Sequence, residues 1–372
     1  MKILHILTSI NTGGAEKFCV DLCNTQVDIS GHKIYLCILD KLEEQPLLKM
    51  ISPDVKLISL NKEGGYSLKI IYKIYQLLSE IKPDVVHLNG RALAYASLPI
   101  IYKKIPSVYT VHTMVERGNK YLNIYFKFLF NNFSLLFKPV AISNIVLDTV
   151  QKNYGEQFNE MIYNGSSELK TSSNISSVKK LIESLKKDDN TLVFLYVGRI
   201  AEIKNTLLLI QTFNKLLDNG ENVCLCIVGY DGTSRQTYFY ECEQENRYPE
   251  YIKFVGRKEN IADYLSFADA ACMTSIKEGL GISALEAFSM GVPLLSTPSG
   301  GPPEIILAGV NGYVSKKTNL SSYVQIIKNF IEKPLYNKSN IIKLYNDNYT
   351  MEICSIGYID LYKKVLSIKD EI

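Results

Sequence analysis

No Asp-x-Asp occurs in the 372 residues, no two cysteines stand as C-x-x-C, and no tract is rich in lysine or arginine. No apolar run approaches the ~20 residues that a membrane span needs. Each absence removes a class of protein. Basic residues are scattered among acidic ones and the formal charge is only +3, which is no nucleic-acid footprint. Most of the eight cysteines lie inside apolar, strand-like runs such as "VCLCIVG". The four histidines (His5, His32, His87, His112) are far from them in sequence. Reduced, buried cysteines in a cytosolic protein are therefore expected, with neither a disulfide frame nor a metal site. The start, "MKILHILTSINTGG", has too short an apolar core for a signal peptide and reads as a first strand. The expected location is cytoplasmic, at most peripheral at the inner face of the cell membrane.

The chain is too long for one ordinary core, so two domains are expected. In the first half "KILHILTSI", "KIYLCIL", "DVVHLNG", "SVYTVHT", "PVAIS" and "EMIYNG" read as strands separated by helix-length segments. A polar, serine-rich stretch at 166–190 marks a linker and a surface helix. The second series is "TLVFLYVG", "NVCLCIVG", "YIKFVG", "DAACMTS" and "VPLLST", and about 319–370 reads as helix. Near-continuous apolar strands alternating with helices predict parallel sheets covered on both faces. The expectation is an α/β chain of two facing Rossmann-like domains, 1–168 and 169–372, with a cleft between them and ligands at the carboxyl ends of the strands.

One stretch carries most of the chemistry. In "SIKEGLGISALEAFSMGVPLLST" (275–297), Glu278 and Glu286 bracket a glycine turn that runs into a helix. The helix is expected to start near Gly281 and to end at Gly291, a left-handed C′ position. Free N–H groups at its start, approached closely at Gly279 and Gly281, suit a phosphate. "GLGISA" also fits the weak dinucleotide fingerprint, but the next strand ends too soon, in threonine, for the required ribose-binding acid. The candidate ribose ligand is Glu286, inside the helix; Glu278 would reach what hangs beyond the phosphates. Arg199 and Lys204, in "VGRIAEIKN" after the first strand of the second half, suit a diphosphate. With no Asp-x-Asp to place magnesium, the two cations are expected to replace a metal.

Glu278-x7-Glu286, Gly198-Arg199-x4-Lys204, "SGGPPEII" (299–306) and "NGYVS" (311–315) resemble the retaining family 4 glycosyltransferases (glycosyl transferases group 1) of the GT-B fold. "TGGAE" (12–16), "PDVVH" (83–87), "VHT" (111–113) and "YNG" (163–165) extend the resemblance over nearly the whole chain. The resemblance implies metal-independent transfer of a sugar from a nucleotide sugar to an acceptor hydroxyl, with retention, and a last helix that returns to the first domain. It implies an acceptor-binding first domain and a nucleotide-sugar-binding second one. Glu286 would hold the ribose and Glu278 the donor sugar. Arg199 and Lys204 would bind the diphosphate with the N–H groups of Leu280, Gly281 and Ile282. Gly13 and Gly14 would line the cleft near the donor phosphates or the acceptor, and His112 would sit beside the transferring sugar. Asn89, Thr113 and Met114 depart from the family pattern, on the acceptor side.

Two carboxylates would also suit a glycosidase, but one is committed here to a ribose. A nucleotide-sugar 2-epimerase of the same fold and a non-catalytic nucleotide-sugar-binding subunit are the alternatives. The implied donor is a UDP-sugar rather than a guanosine one, and the acceptor a glycan or a lipid-linked glycan of a bacterial surface polysaccharide such as O-antigen or capsule. No cofactor beyond the donor is expected. Residues 117–138, "RGNKYLNIYFKFLFNNFSLLFK", read as one helix with a polar stripe of Asn123, Lys127, Asn131, Ser134 and Lys138. Its apolar face is wider than packing on a sheet requires, so it is either a core helix or, with Arg117, Lys120 and Lys127, a contact with an anionic bilayer.

Overall fold

Strands that are apolar at every position become central strands, because a parallel strand is covered on both faces. Val223–Val228 is such a strand, and Val85–Asn89, with His87 and Asn89 among its apolar residues, is likewise buried along its whole length. The computed structural model describes residues 1–11, 13–42, 45–115, 120–229 and 236–369. They fall into two compact units, Met1–Ser166 with Tyr349–Ile372, and Ser167–Asn348.

The first unit runs β1 (Lys2–Leu7), α1 (Gly14–Ser30), β2 (Lys33–Asp40), β3 (Lys56–Lys62), α2 (Leu68–Ile81), β4 (Val85–Asn89), α3 (Ala92–Lys103), β5 (Ser107–Val111), α4 (Lys120–Asn132), β6 (Phe137–Ala141) and α5 (Asn144–Tyr154). Its sheet has the order β3-β2-β1-β4-β5-β6, every pair parallel, with His5 opposite His87 in the β1/β4 register. The second unit runs α6 (Ile175–Leu185), β7 (Leu192–Val197), α7 (Thr206–Asp218), β8 (Val223–Val228), α8 (Gln236–Glu245), β9 (Ile252–Gly256), α9 (Ile261–Leu265), β10 (Ala270–Met273), α10 (Ile282–Ser289), β11 (Leu294–Ser296), α11 (Pro302–Ile305), β12 (Gly312–Val314), α12 (Leu320–Glu332) and α13 (Lys338–Asn348). Its parallel sheet has the order β12-β11-β10-β7-β8-β9. Strand order therefore reverses between β1 and β4 in one sheet and between β7 and β10 in the other. These are the places where open α/β sheets bind ligands, beyond the carboxyl ends.

The last helix, α14 (Met351–Lys369), packs on α1 of the first unit. A buried polar chain bolts it there. Gln26 Nε2 donates to the Tyr362 hydroxyl at 3.3 Å, and Tyr362 lies 2.5 Å from His87 Nδ1. His87 Nε2 reaches Thr110 Oγ1 at 2.7 Å, and Thr110 meets the Tyr358 hydroxyl at 2.8 Å. Burial holds the His87 imidazole well below its ordinary pKa. It is therefore neutral, with one nitrogen accepting and the other donating. In the second unit α12 packs under the sheet through Tyr323 and Phe330 against Phe194 and Phe213. The Tyr323 hydroxyl donates to the Leu295 carbonyl of β11 at 2.8 Å. Tyr323→Phe leaves that buried carbonyl one partner short, so urea unfolding is expected to lose about 1–3 kcal/mol of stability. A midpoint equal to wild type would mean that the bond does not form in solution.

Four features differ from the sequence reading. The strands β3 and β12 were not foreseen; β3 is an edge strand with only Leu60 fully buried, so it lacks a continuous apolar run. "EMIYNG" forms no strand, only an isolated bridge from Met161 to Ala141. The 117–138 segment is not one helix. Arg117 lies outside the described residues, α4 closes with Phe133 N–H donating to the Leu129 carbonyl, and Phe137 and Lys138 enter β6. The bond from Ser107 N–H to the Leu136 carbonyl draws the chain into the sheet at that point. All eight cysteines are buried and free, as read. Among the described residues no helix is long and apolar enough to cross a membrane.

Candidate active site

The connections after β7 and β10 are strapped together across the switch point of the second sheet. Ile276 N–H donates to the Ile203 carbonyl at 2.9 Å, and the Thr274 hydroxyl to the Lys204 carbonyl at 3.0 Å. Lys204 closes a 3-10 turn, Glu202–Lys204, whose exit residue Asn205 takes the left-handed conformation (φ 52°). The strap brings together two side chains 74 positions apart in sequence, and Lys204 Nζ forms an ion pair with Glu278 Oε2. Side-chain exposures of 23% and 16% leave both within reach of a ligand. The Ser275 hydroxyl donates to the same carboxylate oxygen at 3.2 Å. Arg199 is exposed just beyond β7 and makes no ion pair among the described residues. Its backbone is fixed by the buried Tyr196 hydroxyl, which donates to the Arg199 carbonyl at 2.8 Å.

Glu278 is held by its backbone as well. Its N–H donates to the Ser299 carbonyl at 2.7 Å, and Gly301 N–H donates to its carbonyl at 3.1 Å. A Cβ on Gly301 would lie 1.9 Å from the Gly279 carbonyl oxygen, so only glycine lets the two loops approach this closely. "SGGPPEII" is therefore the second wall of the glutamate loop, and its prolines start α11. "NGYVS" has a structural part: buried Asn311 accepts from Leu307 N–H at 2.6 Å and donates to the Ile305 carbonyl at 2.8 Å.

The glycine turn then enters α10. Gly281 is its N-cap with φ 91° and ψ 91°, a conformation that strains any residue with a Cβ. The helix ends at Met290, with Gly291 at φ 71°, where the sequence placed its left-handed stop. The N–H groups of Leu280, Gly281 and Ile282 donate to no backbone carbonyl among the described residues. Glu286 lies in the second turn of α10 and is only 6% exposed. Arg199, Lys204, Glu278, the turn at 280–282 and Glu286 thus belong to one end of one sheet. The roles of Ser275, Ser299 and Gly301 escaped the sequence reading, because loop-to-loop pairing has no periodic signal.

The other predicted residues are in the first unit, at the switch point of its own sheet. Gly13 is the extended N-cap of α1 and Gly14 its first residue; Thr12 of "TGGAE" lies outside the described residues. His112 follows β5, with its ring edge-on to Phe18 at 5.4 Å between centroids. Its Nε2–H donates to Asn89 Oδ1 at 2.8 Å, and burial pushes its pKa down to about 4. At neutral pH it is an uncharged imidazole whose Nδ1 lone pair is left by the Asn89 bond.

Residues 12–166 match the family model Glycosyltransferase Family 4, and residues 177–347 match Glycosyl transferases group 1. The chain belongs to the family 4, group 1 glycosyltransferases. The two models together span both units. The whole chain is 22% identical to the UDP-Gal:alpha-D-GlcNAc-diphosphoundecaprenol alpha-1,3-galactosyltransferase of Escherichia coli, over 95% of that protein. It is 28% identical over 140 residues to the N-acetyl-alpha-D-glucosaminyl L-malate synthase of Bacillus anthracis, a match that spans 37% of this chain and 36% of that protein. Among solved structures, Anabaena HepE in complex with UDP and glucose superposes with a TM-score of 0.84 at 21% identity, covering 98% of this chain and 100% of that one. The glycosyltransferase therefore has the GT-B fold.

Proposed function

We propose that this glycosyltransferase moves a sugar from a UDP-sugar to a hydroxyl of a lipid-linked or glycan acceptor, without a metal and with retention at the anomeric carbon. The observation that carries the reading is the Lys204–Glu278 pair beside the open N-terminus of α10, with Glu286 buried one turn below. Lys204 has three N–H donors and gives one to Glu278, which leaves two for phosphate oxygens. Arg199, with no ion pair among the described residues, is a second cation for the same diphosphate. In this reading the N–H groups at 280–282 cradle the diphosphate, Glu286 accepts from ribose hydroxyls, and Glu278 contacts the sugar. His112, Gly13 and Gly14 belong to the first unit, which in this reading takes the acceptor.

Transfer on the front face follows from this division. The diphosphate leaves as Arg199, Lys204 and the helix end absorb its charge. One of its own oxygens takes the acceptor's proton, so the oxocarbenium-like sugar needs electrostatic and positional help more than a protein nucleophile. HepE binds UDP-glucose, and the E. coli relative is a UDP-Gal transferase acting on a diphosphoundecaprenol-linked sugar; the two support a UDP-sugar donor, and the second supports a lipid-linked acceptor. Radiolabelled UDP-sugars incubated with an acceptor extract test the proposal. Label in the lipid or glycan fraction is expected. An epimerised donor, or tight binding without turnover, would replace transfer by one of the other two activities of this fold.

A lipid-linked acceptor has to be met at a bilayer, and α4 suits that contact. Phe126, Leu129 and Phe130 are buried in the first unit, while Tyr121, Ile124 and Phe128 are exposed at spacings of three and four, flanked by exposed Lys120 and Lys127. Asn123 and the exposed Asn131 of the polar stripe donate to the Val115 and Tyr154 carbonyls. The helix therefore serves the core with one face and offers an apolar, basic face outward. The protein is expected to float with anionic vesicles at low salt and to detach at high salt, and Lys120→Glu with Lys127→Glu to abolish flotation. Unchanged flotation in the double variant would remove α4 from the contact.

A further inference from the structure

Three buried groups of the first unit meet between β1 and α1, and the transfer chemistry above uses none of them. His5 projects from β1; Cys19 and Cys23 stand one turn apart on α1. One ligand atom from each lies within 4.8 Å of the others, and all three side chains are 0% exposed. The surroundings fix the state of His5. Its Nε2 is 2.8 Å from Gln26 Oε1, and a carbonyl oxygen only accepts, so Nε2 carries the proton. The same amide's Nε2 donates to Tyr362, which keeps Gln26 in that orientation. His5 Nδ1 is then left with a bare lone pair, and it is buried with no hydrogen-bond partner. A basic nitrogen without a partner in a sealed core costs stability unless something occupies it. Cys19 also accepts from Asn89 Nδ2 at 3.5 Å, the kind of contact that supports thiolate character.

We infer that His5, Cys19 and Cys23 form a site for one thiophilic cation, zinc or cuprous copper. Two thiolates and a neutral imidazole are the donor set such ions select. Binding expels the two thiol protons, and with a divalent ion the thiolate charges cancel, which suits a site this deep. The outer partners match the role: Gln26 holds the imidazole by its other nitrogen, and Asn89 donates to a ligand sulfur. Asn89 is also the acceptor for His112 Nε2. An ion held here therefore fixes the amide that orients His112.

The test uses the full chain, purified without a polyhistidine tag and analysed for bound metal. It is then loaded anaerobically with Zn2+ or, separately, with Cu+. One equivalent of one of them is expected, with a raised melting temperature. Whichever ion resists exchange by the other identifies the class. Cys19→Ala with Cys23→Ala should lose the equivalent and the melting shift, and Asn89→Ala should weaken affinity about 10–100-fold. Should the double variant fail to fold, Co2+ added to the wild-type chain reports independently, through a thiolate-to-cobalt band in the near ultraviolet. Either no bound equivalent and no cobalt band in the wild type, or equal binding by a folded double variant (an adventitious ion only), would overturn the site.

Discussion

Lys204→Ala is expected to lower kcat by about 100- to 1,000-fold, and Arg199→Ala by a similar factor, on the order of the 2.7–4 kcal/mol lost with one donor to a developing oxyanion. The expected loss is this large because, in the proposed reaction, the charge of Lys204 counts most when the diphosphate departs. In the free enzyme Lys204 is already paired with Glu278, so its ground-state charge is spent partly inside the protein. In the proposed reaction negative charge grows on the phosphates as the glycosidic bond breaks, and the two N–H donors of Nζ not given to Glu278 would meet it. Arg199 enters differently: it is exposed and brings a planar fork suited to two phosphate oxygens. Lys204→Ala also leaves Glu278 without its cation, so a melting curve belongs with the kinetics to separate catalysis from folding. Rates for both variants within a few-fold of wild type, with the melting point unchanged, would refute the diphosphate role. Omitting magnesium and manganese should leave the wild-type rate nearly unchanged; a strict requirement would refute transfer by cations of the chain alone.

The sequence displayed the parts of this molecule that repeat or punctuate. Fully apolar strands such as "VCLCIVG" announce a doubly covered parallel sheet, and Gly281 and Gly291 mark both ends of α10. What stayed hidden are contacts across long separations. Nothing in "PDVVH" says that His87 will clasp Tyr362, 275 positions away, because a buried hydrogen bond has no period. The distance from Lys204 to Glu278 is closed by a backbone bond from Ile276 N–H to the Ile203 carbonyl and by the Thr274 hydroxyl, neither of which has a period to reveal it. His5 and the cysteines of α1 illustrate the converse: they stand apart in sequence, yet a β-strand and the helix that follows it bring them within 4.8 Å. The edge strand β3 was missed for the reason that makes it an edge: half of its side chains need no cover.

Glu286→Ala is expected to weaken binding of free UDP by about 100-fold or more, because charge-assisted hydrogen bonds contribute about 1.5–3 kcal/mol each and a ribose offers two hydroxyls. Its position explains the size of the effect. Glu286 is 6% exposed, so in the proposed site little water would compete with the ribose for its carboxylate. Glu278→Ala should behave otherwise. That carboxylate lies before the turn, paired with Lys204 and hydrogen-bonded by Ser275, and is assigned to the sugar rather than the nucleotide. UDP affinity should then stay within a few-fold of wild type, or rise if Lys204 is released toward the phosphates, while transfer from the intact donor falls steeply. Calorimetric titration with UDP, set beside kcat for both variants, makes the comparison. Equal losses of UDP affinity would place both carboxylates on the nucleotide, and the sugar would have to be held by other groups of the site.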